Sequence, residues 1–301
     1  MTSILFDYEG TDDERRELIF RGEVLVYSPR KASLALVDFA RGLIREAFGD
    51  LEPREAQHRL PVEDYVAVLT QLKPKFINHP TSKQLLRDLF REMGCDPEQT
   101  YFDVPRMRTA TSDGYLNSGI AYAFHAHRDT WYSAPMCQIN WWMPIYDLEP
   151  NSSMAFHTRY WDTPVPNESN EFDYYEYVQT ARKDAAKHVK KDTRKQPHAT
   201  APVEANPQLR VISQVGGLLL FSGAHLHSTV PNTTGKTRFS VDFRTANLGD
   251  VVEKRGAHNI DSACTGTALR DFMRVSDLSV MPEAAVLPYE VAANIQPQVA
   301  S

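Results

Sequence analysis

A His-x-Asp pair and a distant histidine define the chemistry this sequence can do. The pair is His127-Arg128-Asp129; His227 follows Asp129 by 98 positions, and Arg238 follows His227 by eleven. Two imidazoles and one carboxylate on one face of a metal leave the opposite face open to exogenous ligands, as in non-haem Fe(II) oxygenase sites. The spacing has a physical reason. In a strand, residues i and i+2 point the same way, so His127 and Asp129 can reach one ion from a strand edge, and the third ligand must come from another strand. The flanking text reads as strands: Ser118 to Phe124 is apolar and aromatic, and Gly217-Leu218-Leu219-Leu220-Phe221 is a short apolar run after a Gly-Gly turn.

The region around these residues resembles the Fe(II)/2-oxoglutarate-dependent oxygenase superfamily, especially its phytanoyl-CoA dioxygenase-like branch. That branch carries H-x-D, a distal histidine followed by a Pro/Ala-Asn turn, and an arginine eleven residues beyond it. His127, Asp129, His227, Pro231-Asn232 and Arg238 match one by one, over roughly residues 100 to 247. The chain differs at 151–161, where relatives often carry Asn-Gly and a later Pro-Gly-Ser-His; the triad is untouched. The resemblance implies a double-stranded β-helix (jelly-roll, cupin-like) core, Fe(II), 2-oxoglutarate and O2 as co-substrates, and release of succinate and CO2. It makes hydroxylation the default outcome, with desaturation, epoxidation or ring closure open to the same ligand set. Related halogenases replace the ligand carboxylate by a small residue, so Asp129 points to oxygenation. His125 and His225 are rival ligands. Only His127 has a carboxylate two residues on, and only His227 has the family's spacing to Pro231 and Arg238, so His125 and His225 are assigned to support. Arg238 is expected to bind the far carboxylate of 2-oxoglutarate, since a guanidinium matches a carboxylate bidentately. Thr229 is its hydroxyl partner, and Arg244 is its rival.

Elements must hold these groups. The first 100 residues read as mostly helical: one helix starting at Ser28-Pro29 and stopping at Gly49, one from Val62 to Leu72 ending before Pro74, and one from Thr81 or Ser82 to Gly94. Strands follow. In Cys137–Pro144 alternation places Gln138, Asn140 and Trp142 on one face, where the two amides are candidates to contact co-substrate or substrate. Residues 162–206 read as an insertion, with a helix from about Glu171 into the 180s and a basic cluster at 182–195 that includes Lys187, Lys190 and Lys191. It is either a solvated face or a lid attracting an acidic substrate. From Leu209 to Ala246 a second strand block completes the core, with Arg238, Ser240, Asp242 and Arg244 sharing a face. Beyond Asp250 the text is irregular and is expected to wrap or fray. The organisation read is a support region at 1–100, a core at 101–247 and an extension at 248–301. His157, Arg159, Tyr132, Trp142, Trp161 and Arg244 are candidate contacts to a polar or acidic small molecule, such as a sugar acid, nucleotide or amino acid.

Composition bounds the alternatives. The 301 residues are 42% hydrophobic and 24% charged, ordinary for a globular protein. No run approaches the ~18 to 20 apolar residues of a membrane helix, and no signal peptide is evident at the N-terminus. Three widely spaced cysteines make no disulfide framework, which suits a reducing cytoplasm and ferrous iron. A net charge of -6 speaks against nucleic acid as the main partner. Two other classes compete with the oxygenase: a cupin-like metal enzyme using no 2-oxoglutarate, and a non-catalytic binding module on the same fold. The eleven-residue spacing to Arg238 disfavours the first, and the complete ligand set disfavours the second.

Overall fold

The computed structural model describes residues 2–116, 125–180 and 196–291. The expected strand over 118–124 and the basic cluster at 182–195 lie outside them. The chain opens with a short strand, β1 (Ile4–Phe6), a helix, α1 (Asp12–Phe20), and a buried strand, β2 (Val24–Tyr27). A capping box between Thr11 and Glu14 starts α1. Three helices follow: α2 (Lys31–Phe48), α3 (Val62–Asn78) and α4 (Pro80–Glu92). Their apolar stripes are buried, with Leu36, Val37, Ala40 and Ile44 on α2, Leu69 and Phe76 on α3, and Leu86 and Phe90 on α4.

Two helix boundaries differ from expectation. Ser28 does not cap α2, because its N–H and hydroxyl donate to Asp7 at 2.8 and 2.6 Å; the helix begins at Lys31, with the Ser33 hydroxyl accepting from the Arg30 N–H. Pro74 does not end α3, which runs on to Asn78. An interior proline costs about 3 kcal/mol. Fully burying Phe76 in the final turn recovers roughly 1.5–3 kcal/mol of that. At its end α2 behaves as read: Gly49 takes φ +58°, a left-handed conformation suited to glycine, and donates to the Arg45 carbonyl.

The remaining strands are β3 (Thr100–Phe102), β4 (Arg106–Ala110), β5 (Ile139–Pro144), β6 (Met154–Phe156), β7 (Leu209–Val211), β8 (Leu218–Ser222), β9 (His227–Thr229), β10 (Arg238–Asn247) and β11 (Met273–Arg274). Short helices α5 (Tyr174–Gln179), α6 (Leu248–Glu253) and α7 (Glu283–Val291) complete the set. Eight strands form one sheet in the order β1-β2-β8-β5-β10-β3-β11, with β4 also pairing β10; β7-β6-β9 form a second, three-stranded sheet. Apart from the parallel β1–β2 pair, the pairings are antiparallel. The fold is therefore mixed α/β around a large, mainly antiparallel sheet.

Alternation along the central strands makes three layers. Trp141, Phe243 and Leu220 face the helices, where Phe90 meets Trp141 and Phe243 edge-on at 5.5 and 5.6 Å. Trp142, Leu219 and Phe221 face the small sheet and pack with Met154, Phe156 and Val211. The first 100 residues thus supply two sheet strands as well as helices. The C-terminal part, read as irregular, adds β11 to the sheet through β3 and ends in α7; its order follows from buried Leu269, Phe272, Val275 and Val286.

Candidate metal centre

His127 and His227 face each other as an antiparallel bridge, their backbones exchanging N–H···O bonds of 2.9 and 3.0 Å. His227 opens β9. The H-x-D pair is not on a regular strand as read: the single bridge at His127 gives way at once to a 3-10 turn over Asp129–Tyr132. That turn still brings the carboxylate back to the imidazoles. Asp129 Oδ1 lies 3.5 Å from His127 Nε2 and 3.9 Å from His227 Nε2, and the three ligand atoms fall within 4.8 Å of one another. Gly223, at the end of β8, permits this approach, since a Cβ there would sit 3.3 Å from the Gln138 amide and 3.5 Å from Asp129 Cβ.

The rings are held in the correct tautomer. His127 Nδ1 lies 2.7 Å from the His125 carbonyl, and His227 Nδ1 lies 2.9 Å from the His225 carbonyl. An Nδ1–H donated to a carbonyl leaves Nε2 as the lone-pair donor to a metal. His125 and His225 thus support the ligands through their backbones. The His225 ring turns away to the Gly22 carbonyl at 3.0 Å and is covered by Trp161 at 4.4 Å. Gly22, at φ +94°, admits that indole, for a Cβ would meet it at 2.5 Å.

Charge states suit cation binding. Burial first, then the neighbouring His127, pulls His227 down to about 4, so it is neutral near pH 7. Burial opposes ionisation of Asp129, but the neighbouring His127 and the Arg244 charge outweigh it and hold the carboxyl well below its ordinary range. Its second oxygen accepts from Gln138 Nε2 at 3.1 Å and lies 3.6 Å from Arg244 Nε. Oδ1 is thereby the oxygen aimed between the imidazoles.

The triad opens into a cavity of about 570 Å³, within the size range of small-molecule sites. Gln138, Asn140, Trp142, Tyr132, Thr229, Arg238 and Arg244 all line it. Gln138 also donates to Asn140 at 2.9 Å, so its amide positions Asp129. Arg244 pairs with Asp103 at 3.2 Å and Asp242 at 3.4 Å. Arg238 differs. Its Nη1 donates to the Ser152 carbonyl at 3.0 Å, its guanidinium lies over Trp142 at 5.7 Å, and its buried Nε has no partner. Burial, with Asp242 only partly compensating, lowers it to about 10. A half-buried guanidinium with an orphaned, buried N–H suits an anion. Three proposed substrate contacts do not reach the cavity. His157 is buried against the Ser228 hydroxyl at 3.0 Å, Arg159 pairs with Glu204 at the surface, and Trp161 backs His225.

The sequence reading missed Arg128, the middle residue of H-x-D. It is buried, pairs with Asp261 at 3.1 Å, and donates to the Ala224, Tyr160 and Thr163 carbonyls. Asp261 also accepts from Trp131 Nε1 at 2.7 Å and the Val165 N–H at 2.9 Å. This one carboxylate clamps the ligand turn to the insertion. Asp261→Ala is expected to cost about 3–5 kcal/mol, because it leaves a buried guanidinium unpaired. Denaturant unfolding measures this; a loss under about 1 kcal/mol would show that the clamp is dispensable.

No family model and no curated protein sequence matches the chain. Among solved structures, similarity is found to EvdO2 from Micromonospora carbonacea var. aurantiaca complexed with 2-oxoglutarate, at 14% identity and TM-score 0.44 over 80% of this chain and 93% of that one. The epimerase SnoN in complex with Fe3+, alpha ketoglutarate and nogalamycin RO is 14% identical, with TM-score 0.40 over 79% and 85%. The non-heme monooxygenase ThoJ is 12% identical, with TM-score 0.37 over 71% and 70%. No helix among the described residues is long and apolar enough to cross a membrane, and the three cysteines are buried.

Proposed function

We propose that the chain is a non-haem Fe(II)/2-oxoglutarate-dependent dioxygenase that oxidises a small polar or acidic metabolite, with hydroxylation as its default reaction. One observation carries the reading. The His127–Asp129–His227 triad opens into the same cavity as a half-buried arginine whose buried Nε has no partner. His127 and His227 would hold the ion through Nε2 and Asp129 through Oδ1. Fe(II) with 2-oxoglutarate supplies the activation of O2 that oxidises a C–H bond, releasing succinate and CO2. Arg238 would receive the far carboxylate of 2-oxoglutarate beside Thr229, while Trp142 and the second sheet exclude water around it. Excluding water strengthens such a charge pair. The strands of the large sheet over 101–247 and the small sheet would be the two halves of a double-stranded β-helix.

The test is succinate release from 2-oxoglutarate, with Fe(II) and O2, against a panel of sugar acids, nucleotides and amino acids. Metal- and substrate-dependent release is expected. Absence of 2-oxoglutarate binding to the metal-loaded protein would favour the cupin-like reading, in which the metal works without that co-substrate. Asp129 fills the ligand position that a chloride would need, so saturating chloride is expected to give no chlorinated product by mass spectrometry. A chlorinated product from the unmodified protein would overturn the assignment of Asp129.

A further inference from the structure

The cavity has two unlike walls. On the sheet side its charges are spent on one another. Arg106 pairs with Asp103, Arg108 Nε lies 2.6 Å from Asp242 Oδ1, and Arg244 reaches both carboxylates. Gln138 is likewise committed, to Asp129 and Asn140. Groups already paired in this way do not by themselves select a charged substrate.

The opposite side is aromatic. Tyr132, from the turn that carries Asp129, lines the cavity together with Tyr174 and Tyr177 of α5 and Phe272 just before β11. Positions three apart on a helix share a face, which puts Tyr174 and Tyr177 together. Phe172 is buried at the centre of this group, with the Tyr132 and Tyr177 rings each 5.4 Å from it. Tyr132 also stands edge-on to the His127 ring at 5.6 Å, so the aromatic wall begins beside the metal ligands.

Two features set this wall apart from ordinary packing. Tyr132 and Tyr177 stay half-buried, although they stand on a tight aromatic cluster. The wall's hydroxyls are also turned to protein: Tyr132 donates to the Pro197 carbonyl at 3.3 Å and Tyr174 to Asp271 at 2.7 Å. What Tyr132 offers the cavity is therefore ring surface. Rings held in this way bind other flat rings by offset stacking or edge-to-face contact. At about 570 Å³ the cavity has room for such a ring beside a five-carbon co-substrate.

We infer that this wall is the substrate's ring subsite. The substrate is an uncharged molecule bearing a planar aromatic or heteroaromatic ring, which lies against Tyr132 and Tyr177 and thereby holds its oxidisable C–H towards the triad. The inference rests on the oxygenase reading and narrows its polar or acidic metabolite to a polar, ring-bearing one.

Ligand-observed NMR on protein loaded with cobalt(II) and saturated with 2-oxoglutarate tests it, because a paramagnetic ion broadens the protons of a probe bound near it. The probes are 2-naphthol, a neutral flat ring, 2-naphthoate, its charged counterpart, and methyl glucoside, a saturated ring. 2-Naphthol is expected to be broadened and to bind more tightly than the other two. Tyr177→Leu is expected to weaken its binding about three- to tenfold, a stacking contact's worth, whereas Tyr177→Phe keeps the ring and is expected to stay within about twofold. Neither variant is expected to change 2-oxoglutarate affinity more than about twofold, which also shows that the fold is intact. The subsite is refuted if 2-naphthol is not broadened, if Tyr177→Leu leaves its binding unchanged, if Tyr177→Phe loses as much as Tyr177→Leu, or if 2-naphthoate or methyl glucoside binds more tightly. The same titration with cobalt(II) alone separates this inference from the function. Tyr177-dependent broadening in a protein that does not bind 2-oxoglutarate would overturn the oxygenase and keep the ring subsite.

Discussion

His127→Ala, Asp129→Ala and His227→Ala are each expected to abolish turnover and to weaken Fe(II) binding by orders of magnitude, whereas His125→Ala and His225→Ala keep the metal. The asymmetry follows from which atoms do the work. Each ligand imidazole offers Nε2, and Asp129 offers Oδ1, all within 4.8 Å of one another. Losing one of three protein ligands removes a large part of the site. His125 and His225 contribute main-chain carbonyls, which alanine retains. The His225 ring is a packing group, so His225→Ala is expected to lower stability through the lost contacts with Gly22 and Trp161 more than it lowers metal affinity. Equilibrium Fe(II) or Co(II) binding across the five variants checks this. Normal metal binding by His127→Ala, with loss in His125→Ala, would move the ligand assignment two residues along the chain.

Arg238→Leu is expected to weaken 2-oxoglutarate binding by about 2–5 kcal/mol, roughly 30- to several-thousand-fold, because the co-substrate's far carboxylate would be left buried and unpaired. Arg244→Leu is expected to act differently. Arg244 faces Asp103, Asp242 and Asp129, so its loss strands buried carboxylates and destabilises the fold and the metal site together. Direct binding of 2-oxoglutarate to each metal-loaded variant, with unfolding measured in parallel, separates the two. A 2-oxoglutarate defect confined to Arg244→Leu, with Arg238→Leu normal, would exchange their roles.

The triad was legible because its chemistry demands particular residue types at a particular spacing, and a single β-bridge followed by a tight turn meets that demand. Arg238 and the alternating Gln138, Asn140 and Trp142 all line the cavity into which the triad opens. Groups whose roles depend on long-range partners were not legible. Arg128 reads as a spacer in H-x-D, and only its distant partner Asp261 gives it a role. His157, Arg159 and Trp161 do not line the cavity: they follow β6 into a 3-10 turn, where their partners are Ser228, Glu204 and His225. The α3 boundary failed because tertiary burial of Phe76 overrode the local signal of Pro74.

The clamp at Asp261 also imposes an order on assembly. During synthesis the His127-Asp129 turn leaves the ribosome more than a hundred residues before the carboxylate that anchors it, the Arg128–Asp261 separation being 133 positions. His227 too arrives before Asp261. A nascent chain therefore presents all three ligands with none of them locked, and β11, which completes the sheet edge, comes later still. The geometry that would hold an ion is therefore complete only once Asp261 has joined the turn, and not when the three side chains first appear.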